Sequence, residues 1–363
     1  MSDAEDYPVS HLIGATTVKG ETMVQSSSGS RSRRPTLIDV ARLAEVSRAT
    51  ASLVIRDAPG PSANSRERVR RAAELLGYRP DMAAQLLRRQ CSGLIGVVFR
   101  AREPFHADLI ESIYASTELA GYNVVLSAVV PTRDERQAFD ALVASRCAAA
   151  ILLGVSEASL GEFSRELPVV EIGRVPTKAR VDAVHTADDE GVRLAVSHLV
   201  SLGHEEIVHV DGGELPGATE RRRGYREAMA AHGLEEWARV VPGDYSESSG
   251  SAAARSLLAS AQLPTAVIAG NDRCAVGLLD EFRRNGVMVP GQVSIVGYDN
   301  SRLASLAHVD LTSVRQNTEE LARCAVQFAI DRMGSADAGP PRIVERDPEL
   351  IIRSSTGPAP SKR

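Results

Sequence analysis

A chain of 363 residues has room for two or three domains and for large apolar cores. Its net charge of −5 conceals a split: residues 31–90 carry thirteen Arg, no Lys and six acids, a balance of +7 that leaves −12 for the remainder. A basic end on an acidic body suits a polyanion bound at one end only, and the longest apolar run, residues 147–155, is too short to span a bilayer.

Residues 1–34 are polar, end in SSSGSRSRR and read as a disordered leader. The early acids Asp3, Glu5 and Asp6, with no apolar stretch, argue against a secretion signal and for a cytoplasmic protein. Thr36 and Asp39 then have the spacing of a capping box. Leu37, Val40, Ala41 and Ala44 follow on one helical stripe. Ser47 caps a second helix, Arg48 to Ile55, that turns Thr50, Ala51 and Val54 inward and Arg48, Ala49, Ser52 and Leu53 outward. Two short helices joined by a tight turn, with basic side chains on the open face, match helix-turn-helix docking in a major groove, where Arg48 would meet a guanine.

Residues 57–65, DAPGPSANS, read as a loop. Ser65 or Asn64 caps a third helix whose stripe is Val69, Ala72, Ala73 and Leu76 and which Gly77 ends. Tyr78-Arg79-Pro80 makes an extended joint before Asp81, an N-cap for a short helix over 82–89. That helix sets Leu86 and Leu87 beside Arg88 and Arg89, which fits a wedge for a minor groove and also a linker helix on the following domain.

From Gly93 the texture changes to apolar runs between amphipathic helices. Strands are expected over 94–99, 123–129, 148–153, 168–172, 206–210, 265–270 and 293–298, and helices over 107–120, 190–202, 220–232 and 273–285. Uninterrupted β-branched runs separated by helices imply parallel sheets buried on both faces, and the length argues for two lobes. Such lobes bind ligands beyond the carboxyl ends of their strands. Polar and aromatic residues fall there: Phe105 and His106, Arg221, Tyr245, Asn271 with Asp272, and Asp299 with Asn300. Together they suit a small polyhydroxylated or charged ligand. Taken singly, Asp272 or Asp299 could equally cap the next helix, and Tyr245 could be packing.

No GxGxxG, Walker loop, GxSxG or HExxH occurs, so the sequence reads as no enzyme and calls for no cofactor. The histidines show no metal pattern, and His204 and His209 read as packing. Cys91, Cys147, Cys274 and Cys324 form no CxxC and read as reduced, half-buried thiols.

DVARLAEVSRATAS, LGYRP and the Ala/Leu/Arg helix after it resemble the headpiece and hinge of the lactose-repressor (LacI/GalR) family of transcription regulators. HLVSLGHEEIVHVDG, RRRGYREAM, AVIAGNDRCAVGLLDEFRRNGVMVPGQVSIVGYDN and LTSVRQNTEELA resemble that family's ligand-binding core, which is similar to periplasmic sugar-binding proteins. The resemblance runs from Thr36 to about Thr356. It implies an α/β fold with a three-helix helix-turn-helix headpiece (35–79), a hinge helix (80–91) and a two-lobed core with parallel sheets. One lobe would be built from 92–186 and 317–343, the other from 187–316 and 344–356, with a disordered tail over 357–363.

By the same resemblance, Leu37, Arg48, Ala49, Ser52, Leu53 and Arg56 face DNA, Leu87 intercalates, and Tyr78 and Arg88 stand beside them. Phe105, His106, Arg221, Tyr245, Asn271 and Asp299 line the effector cleft. Arg174 joins them, after strand PVVEI, where many members place a carboxylate or an aromatic. The implied function is that of a homodimeric repressor on a pseudo-palindromic operator, controlled by a sugar or similar small molecule. Control by a protein corepressor or a non-sugar ligand is the alternative. Two departures stand out: Glu45 occupies the turn position that is usually Gly, and Leu53 a position that is commonly Arg.

Overall fold

The computed structural model describes residues 35–55, 59–78, 93–177, 181–333 and 339–361, and the chain divides into two compact units, Met1–Gln85 and Leu86–Arg363. The expected leader, the joint at Arg79, the helix over 82–89 and Cys91 lie outside the described residues, and so do Arg56, Leu87 and Arg88.

The first unit packs α1 (Leu37–Leu43), α2 (Arg48–Ile55) and α3 (Ala63–Leu76) around Val40, Ala41, Ala44, Ala51, Val54, Val69 and Ala72. Both halves of the Thr36/Asp39 capping box form, and the Ser47 hydroxyl accepts the Thr50 N–H at 3.0 Å. The third cap departs from expectation. Ser62, in extended conformation, accepts the Ser65 N–H at 3.2 Å, so α3 starts earlier than a cap at Asn64 or Ser65 would allow. Glu45 has φ 48°, a left-handed backbone that costs a side-chain-bearing residue roughly 1 kcal/mol. Arg68 of α3 braces this turn. Its Nη2 donates to the carbonyls of Ala44 at 2.5 Å and Glu45 at 3.1 Å, and lies 3.1 Å from the Glu45 carboxylate.

The second unit begins with β1 (Leu94–Arg100), α4 (Pro104–Leu119), β2 (Asn123–Val129), α5 (Glu135–Ala144), β3 (Ala149–Leu153), α6 (Glu157–Phe163), β4 (Val169–Ile172) and β5 (Asp182–Thr186). The chain then crosses into α7 (Asp188–Ser201), β6 (Ile207–Val210), α8 (Ala218–Ala231), β7 (Arg239–Val241), α9 (Glu247–Leu258), β8 (Ala266–Ala269), α10 (Asp272–Arg284), β9 (Ser294–Asp299) and β10 (Thr312–Arg315). It returns through α11 (Thr318–Met333) and β11 (Ile343–Arg346), and crosses a third time into β12 (Glu349–Ile351).

The described residues thus form two six-stranded sheets, ordered β11-β5-β4-β3-β1-β2 and β12-β10-β9-β8-β6-β7. All neighbours run parallel except β12, which is antiparallel to β10. The third crossing falls after Arg346 and not at 343/344, because Ile343–Arg346 pairs with β5 in the first lobe, Ile343 opposite Ala183. Central strands such as β3 (AAILL) and β8 (AVIA) are buried throughout, as parallel strands covered on both faces must be.

The tail also differs from expectation. His204 Nε2 lies 3.0 Å from the Gly357 carbonyl, and the Ala359 N–H donates to Leu202 at 2.9 Å, so residues up to 359 are tied to the second lobe. Cys147, Cys274 and Cys324 are in no disulfide and are buried, deeper than half-buried thiols, because each sits on a core-facing position.

Candidate functional site

Between the lobes of the second unit lies a cavity lined by side chains of both lobes, the setting in which small-molecule sites are commonly built. Strand ends and helix starts supply its walls. From the first lobe come Arg100, Glu103, Phe105, His106, Leu109, Gly154, Ile172 and Gly173; from the second, Leu215, Pro216, Arg221, Tyr245, Asn271, Asp299 and Gln316. The structure therefore brings together Phe105, His106, Arg221, Tyr245, Asn271 and Asp299. Arg174 is not among the lining residues. Its Nε lies 3.9 Å from Glu171, whose buried carboxyl has no hydrogen-bond partner among the described residues and is pushed far above the usual carboxylate range by burial.

Pro104 opens α4 as a first-turn proline, which fixes where Phe105 and His106 point. The Arg100 N–H donates to His106 Nδ1 at 3.0 Å, so the neutral ring carries its proton on Nε2. Burial, and next the charge of Arg100, push this imidazole down to about 3. His106 is therefore a neutral donor in the cavity wall at ordinary pH. Glu103 occupies the N-cap position without a capping hydrogen bond; its carboxylate instead takes Arg273 Nη1, across the cleft, at 2.7 Å.

Arg221 is held on every side. Nε meets Asp188 at 2.8 Å, Nη1 donates to the Gly270 carbonyl at 2.6 Å, and Nη2 is 3.8 Å from Asp299. Its guanidinium lies over the Tyr298 ring, 3.6 Å from the centroid, and 5.3 Å from that of Tyr245. The side-chain oxygen of Asn271 caps α10 by accepting the Cys274 N–H at 2.9 Å, which leaves its amide for a ligand. Asp272, by contrast, does not cap. It is buried, accepting from the Ser301 N–H at 2.7 Å and the Ser313 hydroxyl at 2.6 Å, and burial raises it to about 6.

Asp299 and Asn300 are consecutive left-handed residues, φ 100° and 47°, where β9 ends at the cavity. One Asp299 oxygen accepts from Gln316 Nε2 at 2.8 Å, and Gln316 Oε1 accepts the Thr186 hydroxyl at 2.8 Å. Gln316 thereby joins the first two crossing segments to the cavity floor. Burial drives Asp299 far above the usual carboxylate range. Tyr245, at φ 65°, packs its ring where Gly212 and Gly270 leave room, and its hydroxyl donates to the Pro216 carbonyl at 3.3 Å.

Asp188, Glu103, Arg100 and Gln316 were not among the expected site residues. Gln316 stands inside the quoted LTSVRQ segment, but nothing local marks it as a cleft residue.

On the first unit, Arg48 and Ala49 are exposed at the start of α2, and Ser52 and Leu53 are half-buried farther along it. Leu37 and Tyr78 pack partly against the core of this unit. Among the described residues no cluster of His, Cys, Asp and Glu could hold a metal ion, and no helix is long and apolar enough to cross a membrane.

Residues 36–81 match the family described as bacterial regulatory proteins, lacI family, and residues 196–356 match the periplasmic binding protein-like domain. The transcriptional regulator CelR of Thermobifida fusca is 33% identical, over 90% of this chain and 99% of its own. A crystal structure of a LacI transcriptional regulator from a Rhodococcus species shares 42% identity with a TM-score of 0.71, covering 73% of this chain and 99% of that one. The lac repressor dimer bound to operator and an anti-inducer shares 26% identity with a TM-score of 0.75, over 90% of this chain and all of that one.

Proposed function

This chain belongs to the LacI family of bacterial regulatory proteins, whose named relatives are transcriptional regulators and not enzymes, and from that premise we propose that it represses by binding a pseudo-palindromic operator as a homodimer, with a sugar or related metabolite in the interlobe cavity setting its grip on DNA. The observation that carries the reading is the composition of the cavity wall. Phe105 and His106 come from one lobe and Arg221, Asn271 and Asp299 from the other, so one small molecule touches both.

A ligand held this way favours whichever lobe arrangement it binds better, and operator affinity changes by that same difference. At the other end, Arg48 and Ala49 start an exposed helix in a basic segment, the geometry of a recognition helix entering the major groove. Two copies related by a two-fold axis would read two half-sites. Leu87 and Arg88, outside the described residues, belong to the proposed minor-groove contact through the pairing of leucines with arginines in the sequence and through the family resemblance.

The test is a thermal-shift screen of sugars and nucleosides on the full chain, followed by operator selection from random duplexes with and without the hit. A ligand that shifts melting and changes operator affinity supports the reading; a ligand that binds the cavity and leaves operator affinity unchanged contradicts it.

A further inference from the structure

We infer that the cavity takes an uncharged polyhydroxylated ring and rejects phosphorylated and carboxylated ones, with Glu103 as the residue that sets this preference. The inference rests on the effector reading above. Three guanidiniums stand at or just behind the wall, and each already has its carboxylate. Arg100 Nη2 meets Glu135 at 2.7 Å, and its Nε donates to the Gly154 carbonyl at 2.8 Å. Arg221 is paired with Asp188 at 2.8 Å, and its remaining Nη2 faces Asp299. Arg273 is bridged between Glu103 at 2.7 Å and Glu247 at 2.5 Å.

An anionic ligand would have to displace one of these carboxylates or lie beside them in a low-dielectric cleft, where like charges repel strongly. Protonation of Asp299 still leaves each guanidinium facing another carboxylate. The same wall suits hydroxyl groups. Asp299 keeps one oxygen beyond its bond from Gln316, Asn271 keeps its amide, and His106 presents Nε2–H. Phe105, Leu109, Ile172, Leu215 and Pro216 supply apolar surface for the C–H faces of a ring.

Glu103 decides the sign. It stands at the N-terminus of the sixteen-residue α4, which by itself favours an anion, and beside Arg273, which favours one too. The Glu103 carboxylate fills that place with the protein's own charge. Removing its charge would leave the helix end without an anion beside it and Arg273 with Glu247 as its one remaining carboxylate partner among the described residues.

The experiment is calorimetry on the full chain with matched probes: neutral monosaccharides and cyclic polyols, each beside its phosphate monoester and its sugar acid. The neutral member is expected to bind at least about tenfold tighter than either anion, a difference of about 1.4 kcal/mol. Glu103→Gln is expected to move the ester-to-neutral affinity ratio toward the ester by about tenfold. An ester or acid that binds wild type as tightly as its neutral parent overturns the inference and leaves the effector reading standing; so does a ratio unmoved in Glu103→Gln. A panel in which nothing binds removes the cavity reading and the inference with it. If Glu103→Gln fails to fold, the wild-type comparison still decides.

Discussion

Arg221 and Asp188 meet at 2.8 Å with both side chains about 6% exposed, one from α8 and the other from the first turn of α7 just past the first crossing between lobes. Arg221 therefore belongs to the cavity wall while its partner Asp188 holds it from the second lobe's interior. Arg221→Ala leaves the Asp188 carboxylate buried without its cation and frees the Gly270 carbonyl, so it should cost about 3 to 5 kcal/mol of stability. Chemical denaturation of the full chain measures this, and a loss below about 1 kcal/mol would contradict the structural role. Arg221 is for this reason a poor probe of ligand contact alone.

Asp299→Asn is the cleaner probe. Asn tolerates the left-handed backbone at φ 100° better than most residues, and its side-chain oxygen can still accept from Gln316. Stability should change by less than about 1 kcal/mol, while effector affinity falls at least about tenfold as the oxygen that faces the ligand becomes an amide nitrogen that can only donate. Calorimetry beside denaturation separates the two, and undiminished effector affinity would take Asp299 out of the site.

Gly250 and Gly277 allow α9 and α10 to touch backbone to backbone, and that contact sets where Asn271 and Arg273 emerge at the cleft. A Cβ on Gly250 would stand 2.0 Å from the Cys274 carbonyl oxygen, and one on Gly277 2.0 Å from that of Glu247. Gly250→Ala should cost about 1 to 3 kcal/mol by forcing the helices apart. Gly161→Ala, in α6 with nothing within 4 Å of the new methyl, should stabilise by about 0.5 to 1 kcal/mol. Equal melting temperatures for the two variants would refute the close approach.

His106 and His209 are buried neutral, lowered by burial from the ordinary 6.5 to about 3 and about 4. Below pH 6.5 the unfolded chain takes up protons that the folded chain refuses, so their contribution to stability is lost as pH falls from 6.5 toward those values. Asp272, raised to about 6, has the opposite sign: the folded state holds its proton more tightly, and that contribution is present below 3.8 and lost as pH rises through 6. Comparing His106→Gln with wild type isolates the histidine. The variant should lose less stability than wild type between pH 6.5 and 4, and parallel curves would mean that His106 is not buried neutral.

Local chemistry made much of the fold legible. The Thr36/Asp39 box, the Ser47 cap and the Gly77 stop involve neighbours a few residues apart, and the buried central strands announce themselves as unbroken apolar runs. Short strands at and next to the sheet edges gave no such signal. β11 (IVER) and β12 (ELI) are half-exposed, and β5 begins with Asp182, which is buried only because Arg332 and Arg342, more than a hundred residues away, pair with it. The site divides the same way. Six residues beyond strand ends, singled out by the family pattern and the rule for parallel sheets, line the cavity. Glu103 and Gln316 were not singled out, since Arg273 lies 170 residues from the one and Thr186 lies 130 from the other.

The claim that α2 reads base edges has the most direct test. Operator selected from random duplexes is bound in competition with random DNA by wild type and by Arg48→Ala, with and without the small molecule found by screening. The selected duplex should bind wild type at least about a thousandfold tighter than random competitor. Arg48→Ala should lose about 1 to 3 kcal/mol of discrimination at one base pair. Equal binding of all duplexes by wild type, or a loss in Arg48→Ala that is uniform across sequences, would contradict base reading by this helix.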